Sequence, residues 1–183
     1  MTAAQMFEQV TNGGTNDFAL VVQILEASRQ AWCLFGGLAI NVYVEPVFTV
    51  DADFVLVTAA IPGVVAELEH HGFRIAWHPF TVNAQKPGSD LVIRISIDER
   101  FQDFPARAVS AEVLGVPVKV AALADLFSAK LLAWSDPERR PTKRAKDELD
   151  LLRIAERFSE YRAQLPEPLH GKLSDLPGLR PQF

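Results

Sequence analysis

Apolar positions recur at helical spacing over residues 16–30, NDFALVVQILEASRQ. Phe18, Val21, Val22, Ile24 and Leu25 form one stripe, and Asn16 or Asp17 stands where a cap is needed. The run AWCLF then reads as a short buried strand that ends at Gly36-Gly37. LAINVYV follows as a short helix or turn, stopped by Pro46. VDADFVLV at 50–57 alternates and then becomes continuously apolar, as a central strand does. PGVVAELEHHG carries Pro62 near its first turn and Gly72 just past its end, the expected asymmetry of a helix. FRIAWHPFTV at 73–82 and LVIRISID at 91–98 read as two antiparallel strands joined by the long turn NAQKPGSD. On the second, Leu91, Ile93, Ile95 and Ile97 share one face, and Asp90, Val92, Arg94, Ser96 and Asp98 share the other. GVPVKVAAL at 115–123 predicts one more strand.

From Asp125 the spacing turns helical: DLFSAKLLAW, a polar break SDPERRPTK, then RAKDELDLLRIAERFSEYRAQL, with Leu149, Leu152, Ile154 and Phe158 expected inward. This order predicts an α+β fold, a mixed β-sheet flanked by helices with a helical C-terminal part. The expected organisation is a core over 1–124, a helical part of the same domain over 125–165, and a loosely ordered tail over 166–183 rich in proline and glycine.

Composition narrows the class. The net charge of -5 argues against a broadly basic nucleic-acid-binding body, though not against a local basic patch. The single cysteine, Cys33, sits in an apolar run and reads as a core residue in a reducing compartment. The start MTAAQMFEQV has no basic region followed by an apolar run, and no apolar stretch approaches the ~20 residues of a membrane span. The expected location is the cytoplasm, with no membrane partner.

Chemistry concentrates between Gly36 and Asp53. Asp51 and Asp53 are two apart at the start of a predicted strand, so their carboxylates point the same way, about 7 Å apart. Such a pair repels itself unless a cation intervenes, and Mg²⁺ favours one or two carboxylates plus phosphate oxygens. Gly36-Gly37, between a strand and a helix start, lets the backbone approach a triphosphate. Alone, the two aspartates also read as a turn or strand-start pair, and the glycines as a tight turn.

The run FGGLAINVYVEPVFTVDADFVLV resembles the signature of the polymerase-β-like nucleotidyltransferases, and more narrowly their minimal and AbiEii-type toxin branch. LGVPVKVAALADLFSAKLLAW resembles the branch's strand-then-helix segment, with Lys130 after Asp125-Leu126. RAKDELDLLRI resembles its Lys-Asp-x-x-Asp-Leu helix, here Lys146, Asp147 and Asp150. The resemblance spans about 15–157. It implies transfer of a nucleoside monophosphate from an NTP to an RNA or protein hydroxyl, with Mg²⁺ on Asp51 and Asp53. Gly36, Gly37, Thr49 and Lys130 would hold the nucleotide. A toxin–antitoxin setting with a cognate antitoxin is implied in the same way.

Two positions depart from the branch. Val47 stands where it carries an arginine. Its third carboxylate belongs mid-strand in LVIRISID, where this chain has Arg94 and Ser96; Asp98 or Asp90, near the strand ends, are the remaining acids on that face. Asp98 is the third catalytic candidate. The alternative is a degenerate relative in which Arg94 neutralises the pair and the fold binds a nucleotide or a protein. Elsewhere, Lys130 and Lys146 each read equally as a triphosphate contact or an ordinary helix-surface lysine, and Asp147 and Asp150 as helix ion-pair partners. The run ERRPTKRAK reads as a solvated loop or as a hold on acceptor phosphates. His70-His71 suits a helix C-terminus, and Trp77 and Trp134 read as packed aromatics.

Overall fold

The computed structural model describes residues 3–174. Seven strands form one mixed sheet in the order β3-β4-β5-β2-β1-β7-β6. They are β1 (Trp32–Phe35), β2 (Asp51–Leu56), β3 (Arg74–Trp77), β4 (Thr81–Gln85), β5 (Val92–Ser96), β6 (Val109–Val113) and β7 (Val116–Val120). The helices are α1 (Ala3–Thr11), α2 (Gly14–Ala27), α3 (Gly36–Ile40), α4 (Ile61–His70), α5 (Leu123–Ser135), α6 (Pro141–Arg157) and α7 (Glu167–Ser174). The fold is α+β.

The alternation in β2 sets the architecture. Ala52 and Phe54 are fully buried while Asp51 and Asp53 keep partial solvent access. Phe54 packs on Phe18 of α2 and Trp32 of β1, with ring centroids 6.0 Å away in each case. Burying each such side chain contributes about 1.5–3 kcal/mol, so the apolar face fixes the strand's rotation. The acids are thereby held on the opposite face. Cys33 is fully buried in β1, and burial pushes its thiol up to about 12, as befits a core residue rather than a nucleophile.

The structure differs from the pattern-based expectations in five places. Trp77, expected to be packed, is 59% exposed at the end of β3, an edge strand of the sheet. The segment 73–82 is two strands, because His78-Pro79-Phe80 turns and the His78 N–H donates to Thr81 O at 2.8 Å. A hairpin over β6 and β7 replaces a lone strand; its turn uses positive φ at Leu114 (54°) and Gly115 (81°), which suits a tight two-residue connection. Leu149 is 45% exposed rather than inward, whereas Asp147, Asp150 and Arg153 of the same helix are buried. Charged partners on α5 and the α5–α6 loop, described below, select that face over the apolar stripe. The stretch expected to be a loose tail continues as α7, anchored by buried Leu165 and Leu169; residues 175–183 of it lie outside the described residues.

Candidate active site

The site lies where β1 and β2 meet. Phe35 pairs with Asp53 across the antiparallel ladder, and the next residue, Gly36, has φ +72°. A Cβ there would come within 2.4 Å of the Asp53 Oδ2 atom. Gly36 is therefore required twice, by its backbone conformation and by the carboxylate seated against it. Thr49 steadies the start of β2: the Asp51 N–H donates to its hydroxyl at 3.3 Å. Thr49 also faces Gly37, 4.0 Å from where a Cβ would stand. Asn41, just past α3, holds the intervening loop by accepting from the Val47 N–H at 3.0 Å and donating to the Val47 carbonyl at 2.8 Å.

Parallel pairing of β2 with β5 places Arg94 directly beside Asp53. Its guanidinium lies 3.0 Å from Asp51 Oδ2 and 4.0 Å from Asp53 Oδ1. The Asp53 carboxyl is raised above the usual carboxylate range, first by burial at the cleft floor; Arg94 opposes the shift and Asp51 adds to it. Its side chain nonetheless keeps 27% exposure, so it remains reachable from the cleft.

The opposite wall comes from α5 and α6. Lys130 bridges Asp147 at 2.9 Å and Asp150 at 2.7 Å. Arg139 holds the other oxygen of Asp147 at 2.7 Å, and Arg153 holds Asp150 at 2.7 Å. Burial disfavours the Lys130 ammonium, but Asp150 and Asp147 together outweigh it and raise its value. Arg153 also donates to Asn41 Oδ1 at 2.8 Å and to the Glu45 carbonyl, tying α6 to the loop before β2. The result is a cleft of about 260 Å³ in which Asp51, Asp53, Gly36 and Gly37 face Lys130, Arg139, Lys143 and Lys146. The Lys143 ammonium is pushed below its ordinary value by burial first and then by Arg94, with Lys146 and Arg139 adding.

Six of the seven site residues named from the sequence thus line one cleft: Gly36, Gly37, Thr49, Asp51, Asp53 and Lys130; Lys146, read equally as a surface lysine, lines it too. Asp98 is not among them. It lies two residues beyond the end of β5 and caps the following 3-10 turn, and its carboxylate takes the Arg100 guanidinium at 2.6 Å. That bond holds its carboxyl below the usual range. Asp90 stands before β5, with its backbone N–H bonded to Thr11 O at 2.9 Å. Lys143 and Arg139 join the cleft because α6 folds across it. The only sequence signal for them was the basic run ERRPTKRAK.

The donor set decides what cation fits. Among the described residues, no three His, Cys, Asp or Glu side chains gather as a metal cage. Two carboxylates on the floor of a cleft rich in lysine and arginine instead suit one hard divalent ion, completed by phosphate oxygens and water. Mg²⁺ carried with a nucleotide meets that description.

Comparison with known proteins agrees with the fold. The lincosamide antibiotic adenylyltransferase LnuA, solved with lincomycin, is 14% identical, with a TM-score of 0.52 over 76% of this chain and 96% of that one. ANT(2″)-Ia, solved with adenylyl-2″-tobramycin, is 18% identical, with a TM-score of 0.56 over 82% of this chain and 95% of that one. An antigenic nucleotidyltransferase-like protein from Paracoccidioides brasiliensis is 14% identical, with a TM-score of 0.54 over 78% and 75%. At these identities the likeness is one of fold. No curated protein matches the chain. A family model described as "Nucleotidyl transferase AbiEii toxin, Type IV TA system" matches residues 20–170. With that match spanning most of its length, the chain belongs to the AbiEii nucleotidyltransferase family, and its fold is polymerase-β-like.

Proposed function

We propose that this protein transfers a nucleoside monophosphate from an NTP to a hydroxyl group on an RNA or protein acceptor, with Mg²⁺ as cofactor. One observation carries the reading: Asp51 and Asp53 share one cleft with Gly36-Gly37 and with Lys143 and Lys146, which supports a cation beside the acids and a polyanion beside the lysines. Asp51 and Asp53 would hold Mg²⁺, which when bound neutralises charge on the phosphates and polarises them. The Gly36-Gly37 backbone lies close along the triphosphate, and Thr49 keeps Asp51 in place. Lys143 and Lys146 receive phosphate oxygens; Lys130, spent on Asp147 and Asp150, positions α6 and adds positive potential.

In the reaction the acceptor oxygen forms a bond to the α-phosphorus. The bond from that phosphorus to the bridging oxygen breaks, pyrophosphate leaves with the electron pair, and the hydroxyl proton passes to water in the open cleft. Catalysis of this kind is mainly positioning and charge neutralisation. The family's description places such proteins in type IV toxin–antitoxin systems, which supports a toxin role here and a cognate antitoxin as partner.

The Arg94–Asp51 ion pair favours a second reading, a degenerate relative that binds nucleotide without turning it over. One experiment separates the two. Each α-labelled NTP is offered with Mg²⁺ and an RNA and protein extract, to the wild type and to Asp51→Asn and Asp53→Asn. Label should enter a macromolecule only with the wild type, and each substitution should reduce it roughly 100-fold or more. Nucleotide binding that both variants retain, with no label transferred by any protein, would leave the degenerate reading standing and remove the first.

A further inference from the structure

The cleft contains a charge that the nucleotidyl-transfer reading leaves unused. Arg94 enters from β5 at the ladder position directly beside Asp53, with its guanidinium 3.0 Å and 4.0 Å from the two carboxylates. It is not a surface arginine that has folded back, since its side chain is only 32% exposed and its strand is flanked on both sides. We infer that Arg94 is a further catalytic residue, a permanently charged side chain that stands in for a second divalent ion and receives the phosphate undergoing transfer. The inference rests on the nucleotidyl-transfer reading and concerns how that same site is charged.

Three observations support it. Asp51 and Asp53 bring two negative charges and Arg94 returns one, so one divalent ion already turns the pair positive. A second ion would have to sit against the guanidinium, in like-charge contact, with no uncommitted acid to hold it. The further acid that lines the cleft, Asp150, is already held by Lys130 and Arg153 at 2.7 Å each, and Asp98 is committed to Arg100. Among the described residues no three His, Cys, Asp or Glu side chains gather to hold an ion. Finally, Arg94, Lys143, Lys146 and Arg139 line one cleft, and Lys143 is already disfavoured by burial and by Arg94. That field is relieved by a polyanion rather than by another cation. A guanidinium also offers what a phosphate needs: a planar fork of donors that keeps its charge at every relevant pH. When the cation binds, Arg94 gives up its 3.0 Å contact with Asp51 and turns to the phosphate oxygens. The bond changes are those given above; Arg94 forms no bond and carries no proton.

The test counts ions and does not require turnover. Wild type, Arg94→Asp, Arg94→Met and Arg94→Lys are dialysed against Mn²⁺ and inorganic tripolyphosphate, and bound Mn²⁺ per chain is measured. Wild type should hold one ion, and Arg94→Asp two. Arg94→Met should keep one ion and bind tripolyphosphate roughly tenfold more weakly, the loss expected for a charge-assisted contact. Arg94→Lys, which keeps the charge, should stay near wild type in ion count and recover part of that affinity. Melting curves on all four identify any variant that has not folded, and the lysine and methionine forms then carry the comparison. Two ions per wild-type chain, or unchanged tripolyphosphate affinity in Arg94→Met, would overturn the assignment while leaving nucleotidyl transfer intact. Wild-type Mn²⁺ binding no stronger than that of Asp51→Asn would remove the metal site itself, and with it the transfer reading on which this inference rests.

Discussion

Two clusters of acids and bases face each other across the cleft, and they are balanced differently. On the helical side, Asp147 and Asp150 are served by three cations, Lys130, Arg139 and Arg153, at 2.7–2.9 Å. On the sheet side, Asp51 and Asp53 share the single guanidinium of Arg94, at 3.0 and 4.0 Å. The first cluster is complete and nearly dry, with the Asp147 side chain 2% exposed; the second is wet and short of positive charge. Saturated ion pairs hold elements together, while an under-served acid pair is available to a ligand. Aspartates of the same type, in equally suggestive motifs, therefore do different work.

The sharpest way to break this contrast is Lys130→Met. It would leave Asp147 and Asp150 buried with one partner fewer each, at a cost of about 3–5 kcal/mol. Denaturant unfolding measures it, and a loss below about 1 kcal/mol would mean that the helical cluster is as dispensable as a surface pair. Gly36→Ala comes next. Its φ of +72° and the 2.4 Å approach to Asp53 Oδ2 predict a loss of about 1–2 kcal/mol in stability and a displaced carboxylate. Calorimetric Mg²⁺–nucleotide binding should weaken alongside; unaltered binding would show that Asp53 is not held by this contact.

The smallest effect is the most specific to the sheet side. Asp53 is raised in the folded state, so the fold retains its proton more tightly than the unfolded chain does. Stability from this group is therefore present at low pH and is lost as pH rises through the raised value. Asp53→Asn should remove that pH dependence and add about 0.5 kcal/mol or more near neutrality while abolishing cation binding. Asp147→Asn, by contrast, should destabilise, because Lys130 and Arg139 lose a partner. Paired melts of the two variants over pH 4–8 distinguish the clusters, and parallel losses in both would erase the comparison.

How much of this was legible follows from how local each cause is. The alternation Asp51-Ala52-Asp53-Phe54 announces both a strand and its wet face, and Gly36-Gly37 announces a turn, so the site's floor is readable along the chain. Face parity alone groups Asp98 with Arg94, but parity lapses where β5 ends at Ser96 and a 3-10 turn redirects the chain. The burial of Asp147 was hidden for a related reason. Its partner Lys130 is 17 residues away, on a different helix, so no local rule marks the polar stripe of α6 as the inward one. Lys143 reaches the cleft only through that docking. The β6–β7 turn, by contrast, was signalled by Gly115 between valine-rich runs, and the shortness of both strands concealed it.

Arg153 closes the account of the helical side. One of its nitrogens is fixed to Asp150, and another reaches Asn41 and the Glu45 carbonyl, more than a hundred residues earlier in the chain. Residue 124, where the pattern of strands gives way to helices, is consequently no place to cut. A chain ended there would keep every strand of the sheet and both aspartates. It would also lose the clasp on the loop from Asn41 to Val47, and with it the spacing between Gly37 and Asp51. Such a fragment would be a folded-looking sheet with its Asn41–Val47 loop untied. Adding the 125–174 segment as a separate peptide would then restore loop order before it restored any chemistry.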